Sequence, residues 1–195
     1  MPVLNVAFVG SESLAKKIAK KGDVRDIESY VYKEERNGEI GIISLLRPLK
    51  HPEKIRPLLS VLNVAKVGII EISKVDSALG EICVSFGCAK IEKGLVIINS
   101  QAGDWVDPEQ VRIILEQSGL KNWELLESLP DEHSIREKLF SLMDNLERED
   151  SSLILPVDQF FNVKGVGLVA IGYVQSGSVS KHDTIQVLPA DENGI

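Results

Sequence analysis

The sequence predicts an α/β chain: a mostly parallel sheet with helices on both faces over residues 1–149, followed over residues 153–195 by part of a β-barrel-like domain. Three observations predict it. Short apolar runs at 3–9, 67–72 and 95–99 alternate with segments that carry helix start and stop residues. Two further runs, 29–33 and 41–46, flank the charged stretch EERNGE, whose Asn37-Gly38 is a hairpin signal. Residues 157–187 alternate apolar and polar, with glycines at 165, 167, 172 and 177 at turn or bulge positions.

In chain order, the run at 3–9 reads as a buried strand ended by Gly10. Ser13 is the expected cap of a helix that runs to about Lys21, with Leu14 and Ile18 on one face and Gly22 as its stop. After the hairpin, His51-Pro52 opens a helix over 53–63, and 67–72 is a short buried strand. Asp76 or Ser77 caps a helix that reaches about Phe86. Asp107-Pro108-Glu109 starts another, with aspartate as cap and proline in the first turn; Val111, Ile114 and Leu115 face inward and Gly119 ends it. Residues 123–126 form the last short strand, and Pro130-Asp131-Glu132 starts a helix that carries Ile135, Leu139, Leu142, Met143 and Leu146. Residues 147–152 read as a linker. Beyond it, Phe160 or Phe161, Val163, Val169, Ile171, Val174, Val179, Ile185 and Val187 are expected to supply one buried face.

Composition narrows the function classes. The chain has 195 residues, 44% of them hydrophobic and 26% charged, with a mean hydropathy of +0.04, the balance of a globular protein. It has no apolar run of about 18 residues and no signal-peptide pattern at 1–10, so a cytoplasmic protein without a membrane partner is expected. Cys83 and Cys88 match neither a redox pair nor half a zinc site and read as helix packing residues. A net charge of −7 gives no general attraction for nucleic acid. Lys16, Lys17, Lys20 and Lys21 are the one concentrated run of positive charge, read as two i,i+4 pairs on the first helix and as the candidate anion or RNA patch. His133 and His182 are isolated and read as surface residues. No metal-ligating spacing or nucleophile-base pair can be assembled, so no catalytic residue and no metal site are assigned.

Asp158, Phe161, Val163, Gly165, Gly167, Val169, Gly172, Val174, Gly177, Val179 and Asp183 fall in step with the pattern D-x-x-F-x-ϕ-x-G-x-G-x-V-x-x-G-x-V-x-x-G-x-ϕ-x-x-G-D. On these residues the chain resembles the translational GTPases of the elongation factor Tu, elongation factor one-alpha and selenocysteine-specific elongation factor type, at the opening of their second, β-barrel domain. His182 departs from the pattern, where the family has glycine. The resemblance extends to architecture, because that family places a Ras-like GTPase domain directly before the barrel. A β-β hairpin after the first helix suits such a domain. Residues 153–195 span about half of the family's second domain, and a small barrel needs more strands to close. The expectation is that the native chain continues or that a partner supplies strands.

The resemblance also implies a nucleotide pocket, and its stations are degenerate. A phosphate loop GxxxxGK[ST] wraps backbone N–H groups around phosphates, and its hydroxyl holds Mg²⁺. Here residues 10–17 read GSESLAKK: Gly10 and Lys16 stand, Ala15 replaces the second glycine and Lys17 the hydroxyl. Glu12 adds a like charge, which at ~5 Å and an effective dielectric of ~20 costs about 3 kcal/mol before screening. DxxG is replaced by Leu46-Arg47-Pro48-Leu49, and NKxD keeps only Asn99 of Asn99-Ser100-Gln101-Ala102, with Asp104 as a displaced substitute. Ser128 stands where the family has its SA motif. His51, near the position of the family's water-orienting histidine, reads as a helix-start residue. Gly10, Lys16, Asn99 and Ser128 are therefore the candidate remnant pocket. A filled pocket predicts Leu14, Ala15 and apolar neighbours in the phosphate volume.

The resemblance thus implies a translation elongation factor-like protein that acts by binding tRNA, the ribosome or a protein partner, without hydrolysis or tight GTP binding, and with no cofactor. The alternative is a divergent factor that binds GTP or GDP with Mg²⁺ and keeps residual GTPase activity.

Overall fold

The computed structural model describes residues 2–36, 38–100, 105–146, 152–188 and 192–194, and the chain divides into two units, Met1–Leu146 and Glu147–Ile195. In the first, β1 (Val3–Val9) leads through α1 (Glu12–Ile18) to the strands β2 (Lys20–Val24), β3 (Ile27–Arg36) and β4 (Glu39–Pro48). There follow α2 (Arg56–Val64), β5 (Val67–Ile72), α3 (Ser77–Cys88), β6 (Gly94–Ile98), α4 (Pro108–Gln117), β7 (Glu124–Leu126) and α5 (Glu132–Asp144). The sheet order is β2-β3-β4-β1-β5-β6-β7, parallel from β4 to β7 and antiparallel through β2, β3 and β4. This is the mostly parallel, helix-covered sheet that the sequence predicts.

Period-two alternation distributes the core between two faces. Leu4, Val6 and Phe8 of β1, Val67 and Ile69 of β5, and Leu95 and Ile97 of β6 pack against Leu14, Ala15 and Ile18 of α1 and Ile135, Leu139 and Phe140 of α5. The intervening Ala7, Ile70, Ile72, Val96 and Ile98 pack against α2, α3 and α4. On that second face the Trp123 ring meets Phe86 edge-on, with centroids 5.0 Å apart, and its Nε1 donates to Ile91 O at 2.9 Å. The ring fits because β5 carries Gly68: a Cβ there would collide with the rings of Trp123 and Phe86.

Several expectations are corrected. The first helix is shorter than read: its cap is Ser11, not Ser13, and it ends at Ile18, so Lys20 and Lys21 lie on an added edge strand and form no helical i,i+4 pairs. Lys21 is drawn to the sheet by carboxylates of α1 and β3, and the β2 backbone pairs with β3. Arg36 pairs with Glu39 at the end of the β3–β4 hairpin, where Gly38 has φ 80°, a backbone conformation that favours glycine. His51-Pro52 precedes α2 rather than opening it: the helix starts at Arg56 with Pro57 in its first turn. Cys83 is a buried packing residue, whereas Cys88 is exposed.

The second unit contains a hairpin of β8 (Val157–Val163) and β9 (Gly167–Gly172), an antiparallel pair of β10 (Ile185–Val187) and β11 (Glu192–Gly194), and a bridge between Ile154 and Ser176. The glycine-punctuated run is thus strand and turn as read. Its apolar side chains do not form a buried face: Phe160 is 72% exposed, Phe161, Val163, Ile171, Val174, Val179, Ile185 and Val187 are exposed, and Val169 is half-buried. Among the described residues, paired strands without a second layer leave both faces to water. His182 has φ 74°, which explains why glycine is the family's choice there.

Candidate functional site

The C-terminal ends of β1, β5 and β6 converge where ligands bind in open α/β sheets. The connection from β1 to α1 is only two residues long. Val9 ends the strand, Gly10 turns, and Ser11 caps the helix by accepting the Leu14 N–H on Oγ at 3.2 Å. Positions 12–17, which a phosphate loop would spend on wrapping an anion, are the helix itself. Leu14 and Ala15 accordingly face the core rather than a ligand.

The group that meets the turn is Glu71. It follows Val67 and Ile69 in the alternation of β5, so its side chain emerges on the α1 face. Its Oε2 accepts the Ser11 N–H at 2.6 Å, and its Oε1 accepts Asn99 Nδ2 at 2.7 Å. Gly10 is required for this approach: a Cβ there would lie 2.8 Å from both Glu71 Cβ and Oε2. The apolar side chains that a filled pocket predicts, Leu14 and Ala15, face the core instead, and a carboxylate stands beside the turn. The hydrogen bond also orients the Asn99 amide, whose Oδ1 is buried without a partner.

Arg47, at the DxxG position, secures the turn from the other side. Its Nε donates to Gly10 O and its guanidinium to Glu28 Oε2, both at 2.8 Å. Glu28, 5% exposed, also accepts Lys21 Nζ at 2.7 Å and the Tyr30 hydroxyl at 2.9 Å. Burial alone would raise its pKa, but hydrogen bonds from Lys21, Tyr30 and Arg47 outweigh that and hold it below the usual carboxylate range. Burial and the Glu28 hydrogen bond push the Tyr30 phenol up to about 12. Lys16 pairs with Glu12 at 2.8 Å along the helix, and Lys21 reaches the same carboxylate at 2.7 Å. Hydrogen bonds first from Lys16 and then from Lys21 bring Glu12 down to about 2.

The candidate residues thus separate. Gly10 and Asn99 meet through Glu71, Lys16 is turned to Glu12, and Ser128 stands on an exposed bend after β7. In the candidate anion patch, Lys17 and Lys20 are exposed while Lys16 and Lys21 are committed to carboxylates. His51 lies ahead of α2 rather than at its start; its side chain is buried, and Nε2 lies 3.8 Å from Glu81 Oε1 without a hydrogen bond. His133 is exposed, as read. Gln101, Ala102 and Asp104 lie outside the described residues. Glu71 and Glu28 were not singled out from the sequence. Glu71 had a signal, a carboxylate at an inward position of an apolar strand; Glu28, in a strand rich in charged residues, had none.

No family model matches the chain. An uncharacterized protein of Methanocaldococcus jannaschii is 31% identical over 194 residues, which cover 98% of this chain and 59% of that protein. The chain therefore spans about 59% of the length of the curated relative it matches. Among solved structures, a bacterial selenocysteine-specific elongation factor EF-Sec aligns over 99% of this chain and 38% of its own, with a TM-score of 0.71 and 16% identity. Translation elongation factor SelB from Methanococcus maripaludis, in complex with the GTP analogue GPPNHP, aligns over 99% of this chain and 46% of its own, with a TM-score of 0.64 and 20% identity. At such identities the likeness speaks for the fold, and the chain has the translational GTPase-like fold of the selenocysteine-specific elongation factors.

Proposed function

We propose that this chain is a translation elongation factor-like protein that acts by binding, to tRNA, the ribosome or another translation partner, without GTP hydrolysis and without tight GTP binding. The observation that carries the reading is the length of the turn between β1 and α1: two residues, with the helix beginning at Glu12. Phosphoryl transfer by a loop of this kind needs backbone N–H groups around the phosphates, a lysine on them and a hydroxyl on Mg²⁺. Here Lys16 pairs with Glu12, Lys17 replaces the hydroxyl, and Leu46 stands in the place of the metal-directed aspartate, with Arg47 beside it bound to Gly10 O. The fold supplies the link to translation, because the solved structures that resemble it are elongation factors.

Calorimetric titration with GTP and GDP, with and without Mg²⁺, tests the first half of this reading, and co-sedimentation with ribosomes and capture of aminoacylated tRNA test the second. The expected result is no nucleotide heat and saturable binding to one of the translation partners. Micromolar, Mg²⁺-dependent GTP binding that is lost in Lys16→Ala would replace this reading with that of a divergent GTPase. Absence of any ribosome or tRNA binding would remove translation from it.

A further inference from the structure

We propose that Glu71 is a built-in anion. Its carboxylate accepts the Ser11 N–H of the β1–α1 turn and holds that end of the sheet in one conformation with no ligand bound. The proposal supplies a physical cause for the ligand-independent reading above and rests on it for its functional meaning. In the nucleotide-dependent members of such folds, a phosphate group orders the loops around it and its loss releases them. Here the ordering group is covalently part of β5.

The geometry points to a clamp rather than to a chance contact. One carboxylate joins three strand ends, through the Ser11 N–H beyond β1, its own position on β5 and the Asn99 amide beyond β6. The space it occupies exists only because residue 10 is glycine. The opposite side of the turn is closed by Arg47, which binds Gly10 O and ties β4 to the buried Glu28 of β3. Hydrogen bonds to an ionised carboxylate are about twice as strong as neutral ones. An N–H left pointing into a partly buried site without such a partner bears its full desolvation cost.

The clamp predicts a property of the Ser11 amide that can be read in the whole chain by NMR. In the natural protein this amide resonates downfield and exchanges slowly with solvent. In Glu71→Ala it moves upfield and exchanges at least ~10-fold faster, as loss of a hydrogen bond to a charged group implies. The Asn99 side-chain amide shifts with it. Glu71→Gln keeps the shape and removes the charge, so an intermediate shift of Ser11 is expected, and this variant carries the test where Glu71→Ala fails to fold. Exposed Glu81→Gln is the control that leaves Ser11 unchanged.

Unaltered Ser11 exchange and shift in both Glu71 variants would overturn the clamp. That failure is separable from failure of the proposed function. Nucleotide binding with a Glu71-dependent Ser11 amide would sink the functional reading and leave the clamp. No nucleotide binding with an indifferent Ser11 would do the reverse.

Discussion

Glu28 carries most of the acid-base chemistry of the sheet edge, since Lys21, Arg47 and Tyr30 all converge on it. Its folded pKa lies below the unfolded value of about 4. The stability it contributes is therefore present above that value and is lost as the pH falls through the folded one. Tyr30 behaves in the opposite sense: raised to about 12 from an unfolded value near 10, it contributes stability below about pH 10 that is lost as the pH rises through 12. Urea denaturation across pH should show both limbs. Glu28→Gln is expected to flatten the acid limb and to lower stability near neutrality by about 1–3 kcal/mol, the cost of weakening hydrogen bonds to a buried charged group. Tyr30→Phe is expected to flatten the alkaline limb. An acid limb unchanged in Glu28→Gln would assign acid sensitivity to other carboxylates. Neither residue announces itself in the sequence, where the run 27–36 carries glutamates at three positions, 28, 34 and 35. Only the pairing of β3 with β4 beneath α1 shows that Glu28 is the one turned inward.

At the scale of elements, the strands were legible because apolar runs at inward positions leave little choice. Val67, Ile69, Leu95 and Ile97 could serve no solvated segment. The end of α1 was not legible. Lys16, Lys17, Lys20 and Lys21 have helical spacing, yet Lys20 and Lys21 add a strand to β3, because an open sheet edge offers their backbone hydrogen bonds that a local pattern cannot anticipate. The same limit hid Gly68, an unremarked residue inside an apolar run whose missing side chain makes the room for Trp123, a residue 55 positions away in the sequence numbering. Gly68→Ala is accordingly expected to destabilise the chain by about 1–3 kcal/mol through overpacking. Trp123 emission should shift to the red as the ring is forced from its contact with Phe86. Chemical denaturation monitored by fluorescence checks both. A variant as stable as the natural chain, with unshifted emission, would show that the ring yields at little cost.

Across the whole molecule, burial is unevenly shared. Both core clusters lie within Met1–Leu146, while the described residues of Glu147–Ile195 add paired strands whose large apolar side chains face water. The glycine pattern that made the second unit the most recognisable stretch of sequence is a turn signal. Gly165 and Gly167 mark the reversal between β8 and β9 and Gly177 a bend beyond it, all at positive φ, and none of them carries information about what covers the strands. Burial of apolar side chains and the hydrogen bonds of a multi-stranded sheet set local stability, so the two units should open at different free energies. Native-state hydrogen exchange is expected to give amides of β1, β5 and β6 the protection of global unfolding. Those of β8 and β9 should exchange through local opening, at least ~100-fold faster for an opening free energy lower by about 3 kcal/mol. A translation partner that seats on the exposed Phe160 and Leu168 would raise protection in β8 and β9 alone, without changing that of β5. Protection of β8 and β9 equal to that of β5 in the free chain would mean that their apolar faces are covered in solution, and the surface available to a partner would then have to be sought on the first unit.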